Sequence, residues 1–121
     1  MTEALIGIGS NTDDATQRVA EACRWLKETF DNVNVSDVYR TESISGDGSL
    51  YANAVARIHT DMDADQLNHR LKAYELQCGR QRIAGRKMPV VIDLDVVCFG
   101  GEILRPRDYS FSFFQIGLKQ L

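Results

Sequence analysis

The sequence predicts a two-layer α+β fold of the ferredoxin-like type, β-α-β-β-α-β, with an antiparallel sheet and helices on one face. Three observations carry this. Two segments repeat apolar residues at three- and four-residue spacing. Residues 51–60 alternate cleanly with a period of two. Short, strongly apolar segments open the chain and recur over residues 90–99. Helices on one face of such a sheet leave the other face for a site.

The elements follow in order. Leu5-Ile6-Gly7-Ile8 suits a buried strand and runs into the turn signal Gly9-Ser10-Asn11. Asp13 is placed to cap a helix over residues 14–30, whose stripe is Ala15, Val19, Ala22, Cys23, Leu26 and Phe30. Val33 and Val35 alternate with polar neighbours and lead to Val38-Tyr39, a second strand; residues 43–49, with two glycines, form a loop. In the next strand Ala52, Ala54, Ala56 and Ile58 point one way, and Tyr51, Asn53, Val55 and Arg57 the other. Asp63 with Gln66 makes a capping box, Met62 with Leu67 a hydrophobic staple, and Gly79 a helix C-terminus. The helix between carries Leu67, Leu71, Tyr74 and Cys78. The last long strand places Ile92, Leu94, Val96 and Cys98 toward the helices, and Gly100-Gly101 turns the chain into a short strand through Ile103.

With 121 residues the chain is expected to form one domain, 1–121. Hydrophobic residues at 44% and charged residues at 26% exclude collagen, coiled-coil rods and disorder. The net charge of −3 argues against a nucleic-acid partner, which needs a basic surplus. No stretch approaches membrane-spanning length, and the start lacks a signal-peptide pattern, so a cytoplasmic protein with no membrane partner is expected. Cys23, Cys78 and Cys98 are widely spaced and odd in number, which fits free thiols in a reducing compartment.

Asp93 and Asp95 are the sharpest chemical feature. Two apart on a strand, they project from the same face, about 6.5 Å apart along it. Like charges there repel and lose solvation, and a divalent cation relieves both penalties; Mg²⁺ favours one or two carboxylates plus phosphates. Solvated aspartates on an edge strand are the alternative. Just before them stand Arg80, Arg82, Gly85, Arg86 and Lys87, either a phosphate grip or a solvated basic loop. Tyr51 and Asn53 share a strand face and suit a flat, hydrogen-bonding heterocycle. Gly7-Ile8-Gly9 opens like a dinucleotide fingerprint, but Thr12 occupies the third glycine position, which excludes it. His59 and His69 have no metal-like partners.

Taken together, Gly9-Ser10-Asn11, Tyr39-Arg40-Thr41, the run from Tyr51 to Val55, the stretch from Glu75 to Arg82 and Ile92-Asp93-Leu94-Asp95 resemble the 6-hydroxymethyl-7,8-dihydropterin pyrophosphokinase family over roughly residues 4–103. The resemblance implies transfer of pyrophosphate from ATP to the pterin hydroxymethyl in folate biosynthesis. It implies a catalytic set of Asp93, Asp95, Arg80 and Arg82, with Asp93 and Asp95 holding one or two Mg²⁺ ions. On the nucleotide side it implies Glu75, Arg80, Arg82, Arg86, Lys87 and Val96. Thr41, Glu42, Ile44, Tyr51 and Asn53 would hold the reduced pterin. Val90 stands where the family has an arginine, Lys87 near an aromatic position, and Glu42 where Thr41 is followed by proline. The domain reads as shortened at the C-terminus, without the family's His-Pro segment and further arginine. The alternative function is a catalytically weakened homologue that binds a pterin or nucleotide, or serves as a partner subunit. Phe111, Phe113 and Phe114 are expected to dock on the chain's own core or on a second subunit; in such a homodimer Arg105 and Arg107 would be carried toward the neighbour's phosphate site.

Overall fold

The computed structural model describes residues 1–80 and 89–121. The chain runs through β1 (Thr2–Ser10), α1 (Ala15–Thr29), β2 (Asp31–Val35), β3 (Tyr39–Glu42), β4 (Leu50–Thr60) and α2 (Ala64–Gln77). It continues through β5 (Asp93–Phe99), β6 (Glu102–Ile103), α3 (Pro106–Ser110) and α4 (Ser112–Leu118). The sheet order is β2-β4-β1-β5-β6, with β3 also pairing to β4, and the pairings are antiparallel. This is the expected ferredoxin-like α+β arrangement with two differences, one in the second strand and one in the tail.

The second expected strand is broken in two. Ser36 donates its backbone N–H to Val55 O and its Oγ accepts from Val55 N, both at 2.9 Å. A side chain thus fills a ladder position, and pairing with β4 resumes only at Tyr39. The first helix begins at Ala15, one turn residue later than the Asp13 cap implied. Asp14 is its N-cap, and the Asp14 carboxylate accepts from Thr12 and Arg18 instead of from the helix end. The capping box of α2 is present in both directions, at 2.8 and 3.0 Å.

α1 and α2 bury their stripes against one sheet face. Val19, Leu26, Leu67 and Leu71 pack there with Ile6, Ile58, Ile92 and Leu94, all fully buried. The opposite face is not left bare. The tail is helical and docks on its own sheet: Phe114 is buried with Val55, Val97 and Cys98, while Phe111 and Phe113 stack on each other with centroids 5.5 Å apart. Cys98 was expected among the helix-facing residues. The pairing of β1 with β5 slips at Leu5/Ile6, where Val97 is an extra residue between Val96 and Cys98. The bulge turns Cys98 to the tail side and lets Phe99 pack toward the helices. The three cysteines are free thiols. Among the described residues no helix is long and apolar enough to cross a membrane.

α4 lies so close to β4 that only glycine fits at the contact. A Cβ on Gly117 would stand 2.5 Å from Val55 Cγ2 and 2.7 Å from the Tyr39 hydroxyl. That hydroxyl donates to Phe113 O and accepts from Gly117 N at 3.1 Å. Gly117→Ala is therefore expected to destabilise the fold by about 1–3 kcal/mol through overpacking, read as a lower urea midpoint.

Candidate active site

β5 carries the site because of its alternation. Ile92, Leu94 and Val96 go into the core, which forces Asp93 and Asp95 to the opposite face. The approach to β5 is clamped by the first turn: Val90 N donates to Asn11 Oδ1 at 2.6 Å, and Asn11 N donates to Val90 O at 3.0 Å. Ser10 Oγ donates to the same carbonyl at 3.2 Å. The Gly-Ser-Asn turn thus fixes where the carboxylates begin.

The end of α2 supplies the countercharges. Arg80 Nη1 donates to Asp93 Oδ1 at 2.7 Å, Glu75 Oε1 at 3.0 Å and Ile92 O at 3.2 Å. Lys72 Nζ donates to Glu75 Oε2 at 2.8 Å, Leu94 O at 3.0 Å and Asp95 Oδ1 at 3.3 Å, and lies 3.5 Å from Asp93. Glu75 is 3% exposed and its Oε2 also accepts from Leu94 N at 2.8 Å.

On the other side the carboxylates face a cleft of about 230 Å³. Its floor is the backbone of Gly7 and Gly9; its walls include Thr41, Glu42, Ile44, Tyr51 and Asn53 on one flank, and Val97, Arg105, Asp108, Phe113 and Phe114 on the other. Asn53 is buried, and its amide N–H groups reach Thr41 Oγ1 at 2.8 Å and Tyr51 O at 3.2 Å. That commitment turns its Oδ1 toward Gly9, where a Cβ would stand 3.7 Å away. Arg105 Nη1 is 3.9 Å from Asp95, and its Nε donates to Asp108. A flat heterocycle on the glycine floor would have an amide and hydroxyls at its edge and carboxylates at one end.

The family model for 7,8-dihydro-6-hydroxymethylpterin-pyrophosphokinase matches residues 5–121. The chain belongs to this family. The match continues past residue 103, so the docked tail is part of it. A Pseudomonas putida 2-amino-4-hydroxy-6-hydroxymethyldihydropteridine pyrophosphokinase is 32% identical over 107 residues, covering 86% of this chain and 88% of that protein. The Haemophilus influenzae protein of the same name is 29% identical over 119 residues, covering 96% of this chain and 74% of its own length. A folate synthesis bifunctional protein from Arabidopsis thaliana is 31% identical over 100 residues, which are 21% of its length.

Within this pyrophosphokinase domain, the five residues read as pterin contacts and both aspartates line one cleft. Arg80 and Glu75 stand behind the aspartates. Val96 is different: its side chain is buried in the helix-side core. Arg82, Arg86 and Lys87 lie outside the described residues. Sequence reasoning missed Lys72 and the cleft role of Asp108 and the glycine floor. The signal for Lys72 was its place three residues before Glu75 on the α2 face that meets β5.

The two aspartates are pushed in opposite directions. For Asp95, burial, the neighbouring Asp93 charge and a hydrogen bond to Asp93 raise the carboxyl to about 6, against the pull of Lys72 and Arg105. Burial also raises Asp93, but hydrogen bonds from Asp95 and Arg80, with the Lys72 and Arg80 charges, outweigh it and hold Asp93 below the usual range. A raised carboxyl stabilises the fold below its unfolded value and loses that contribution as pH rises through the folded one. Asp95→Asn removes this loss. In metal-free buffer the variant's stability advantage over wild type is expected to widen by about 1–3 kcal/mol between pH 4 and 7. Denaturant melts across that range check it; a gap that narrows with pH contradicts the assignment.

Proposed function

We propose that this domain transfers the pyrophosphoryl group of ATP to the hydroxymethyl of a reduced pterin, in folate biosynthesis. The observation that carries the reading is the shared cleft: Asp93 and Asp95 close one end of the pocket lined by Tyr51, Asn53, Thr41, Glu42 and Ile44. Family membership supports the same reaction.

The chain's residues divide the work. The glycine floor and Tyr51 accept a flat ring. The fixed Asn53 amide and the Thr41–Ile44 backbone region read its hydrogen-bonding edge. The pterin hydroxyl is then directed at the carboxylate end. Its oxygen attacks the β-phosphorus, the bond from that phosphorus to the α–β bridging oxygen breaks with its electron pair going to that oxygen, AMP leaves, and the hydroxyl proton is lost to water. The catalysis asked of the protein is mostly positioning and charge neutralisation.

Two carboxylates, one of them raised by the other, are a donor set suited to Mg²⁺ carrying phosphates. Asp93 and Asp95 would hold the ion, which supplies charge neutralisation on the phosphates. Arg80 backs the pair from the α2 side, with Arg82, Arg86 and Lys87 as further phosphate cations. Arg105, on the docked tail, presents a guanidinium to the same cleft.

Incubation with MgATP and 6-hydroxymethyl-7,8-dihydropterin is expected to release AMP, and only when the pterin is present. Asp95→Ala is expected to lower the rate at least about 100-fold, since several kcal/mol of charge stabilisation depend on the pair. Absence of AMP with the wild-type chain, or AMP release that ignores the pterin, contradicts the reading. Saturable pterin binding without AMP would favour the weakened, ligand-binding homologue.

A further inference from the structure

Among the described residues, Lys72 is the one cation within 4.0 Å of Asp93 or Asp95 to which the reaction above gives no part. Its ammonium has three N–H donors and four acceptors. Glu75 at 2.8 Å and Leu94 O at 3.0 Å take the short contacts. Asp95 at 3.3 Å and Asp93 at 3.5 Å share what remains. Arg80 differs. Its side chain is 13% exposed and its Nη1 lies 2.7 Å from Asp93, whereas Lys72 is 32% exposed on a flexible four-carbon stem. On the α2 side of the pair, Lys72 is therefore the looser of the two countercharges, a tethered and movable cation.

A divalent ion held by Asp93 and Asp95 would meet this ammonium at close range. Like charges so placed repel strongly in a partly buried setting. Either the ion binds weakly or the ammonium leaves the aspartates. Lys72 and Glu75 also line a shallow hollow with Leu76 and Arg80 on the α2 side. Phosphates delivered with the ion would give the displaced ammonium a new partner there. Resting on the reading of Asp93 and Asp95 as the Mg²⁺ pair, we infer that Lys72 is a built-in competitor for the metal. It disfavours Mg²⁺ alone and favours Mg²⁺ arriving with a nucleotide, so that metal and nucleotide bind cooperatively. Lys72 is thus a positioning residue that sets the order of loading.

The test compares wild type, Lys72→Met and Lys72→Arg by calorimetric titration with MgCl₂, with and without a non-hydrolysable ATP analogue. Lys72→Met is expected to bind Mg²⁺ alone at least about tenfold more tightly. The gain in Mg²⁺ affinity caused by the analogue should shrink correspondingly. Lys72→Arg, which keeps the charge, should stay within about threefold of wild type for Mg²⁺ alone. Equal Mg²⁺ affinity in wild type and Lys72→Met, with both binding Mg²⁺ in the presence of the analogue, overturns the role of Lys72 alone. Failure of wild type to bind Mg²⁺ even with the analogue overturns the metal assignment, and this inference with it. If Lys72→Met does not fold, the wild-type chain still decides. Amine-reactive footprinting read by mass spectrometry should show Lys72 labelling faster at 50 mM MgCl₂ than without the ion. Unchanged labelling there overturns the inference.

Discussion

The structure depends on how one stretch of sheet edge is closed. β6 pairs with β5 only at Cys98 and Phe99, and among the described residues no strand lies beside the edge from Ile92 to Leu94. Backbone groups at such an edge need partners. They find side chains of α2 and its C-terminal turn: Leu94 N donates to Glu75, Leu94 O accepts from Lys72, and Ile92 O accepts from Arg80. Glu75 is the centre of this closure. It is buried, and it is satisfied by one backbone N–H and two cations. Structural closure and site chemistry are thus one arrangement. The cations that complete the edge are those that hold the aspartates. Removing Glu75 would free Leu94 N and leave Lys72 and Arg80, both partly buried, with only Asp93, Asp95 and backbone carbonyls as partners.

The opposite wall of the cleft depends on a different contact. Tyr39, at the start of β3, reaches across to the tail and bonds both Phe113 O and Gly117 N. Burial raises the Tyr39 hydroxyl to about 12, so it remains a neutral donor and acceptor throughout the working range. Gly117 brings α4 onto Val55, which seats Phe114 beside Gly7 on the cleft floor. The tail therefore shapes the pocket in which the aspartates sit, which is why its helices belong with the active domain and not to a separate appendage.

Much of this was legible in the residues. Period-two alternation placed Tyr51 and Asn53 on one face, and the Asp93/Asp95 spacing placed both carboxylates together. The capping box and Gly79 marked α2, and Gly79 adopts a φ of +89° that favours glycine. What escaped was whatever depends on a side chain replacing backbone. Ser36 breaks the second strand because its hydroxyl oxygen, not a backbone carbonyl, accepts from Val55 N; no hydropathy pattern records that. The buried role of Glu75 as the partner of Leu94 needs the edge of β5 to be known first. Lys72 escaped for the same reason, since a lysine on a helix outside its apolar stripe reads as solvated surface. Val96 shows the converse: the alternation that puts Asp95 in the cleft sends its neighbour into the core.

The bulge at Val97 links these two walls. An ordinary β5 would alternate without interruption, and Cys98 would face the helices. With one extra residue the strand shifts phase after Val96, and Val97 O accepts from Leu104 N at 2.8 Å and Arg105 N at 3.3 Å. That pair of bonds fixes the turn leaving β6, and so fixes where α3 starts. Arg105 is the residue immediately before α3, with its side chain held by Asp108 one turn on. The register slip therefore aims a guanidinium back along β5 to 3.9 Å from Asp95. Bulges re-aim chains near active sites in this way. Here a single inserted residue brings the tail's cation and its aromatic wall to the same end of the cleft as the carboxylates. A tail arginine reaches the carboxylate end of the pocket because of backbone register, not because of any charge pattern near Arg105 itself.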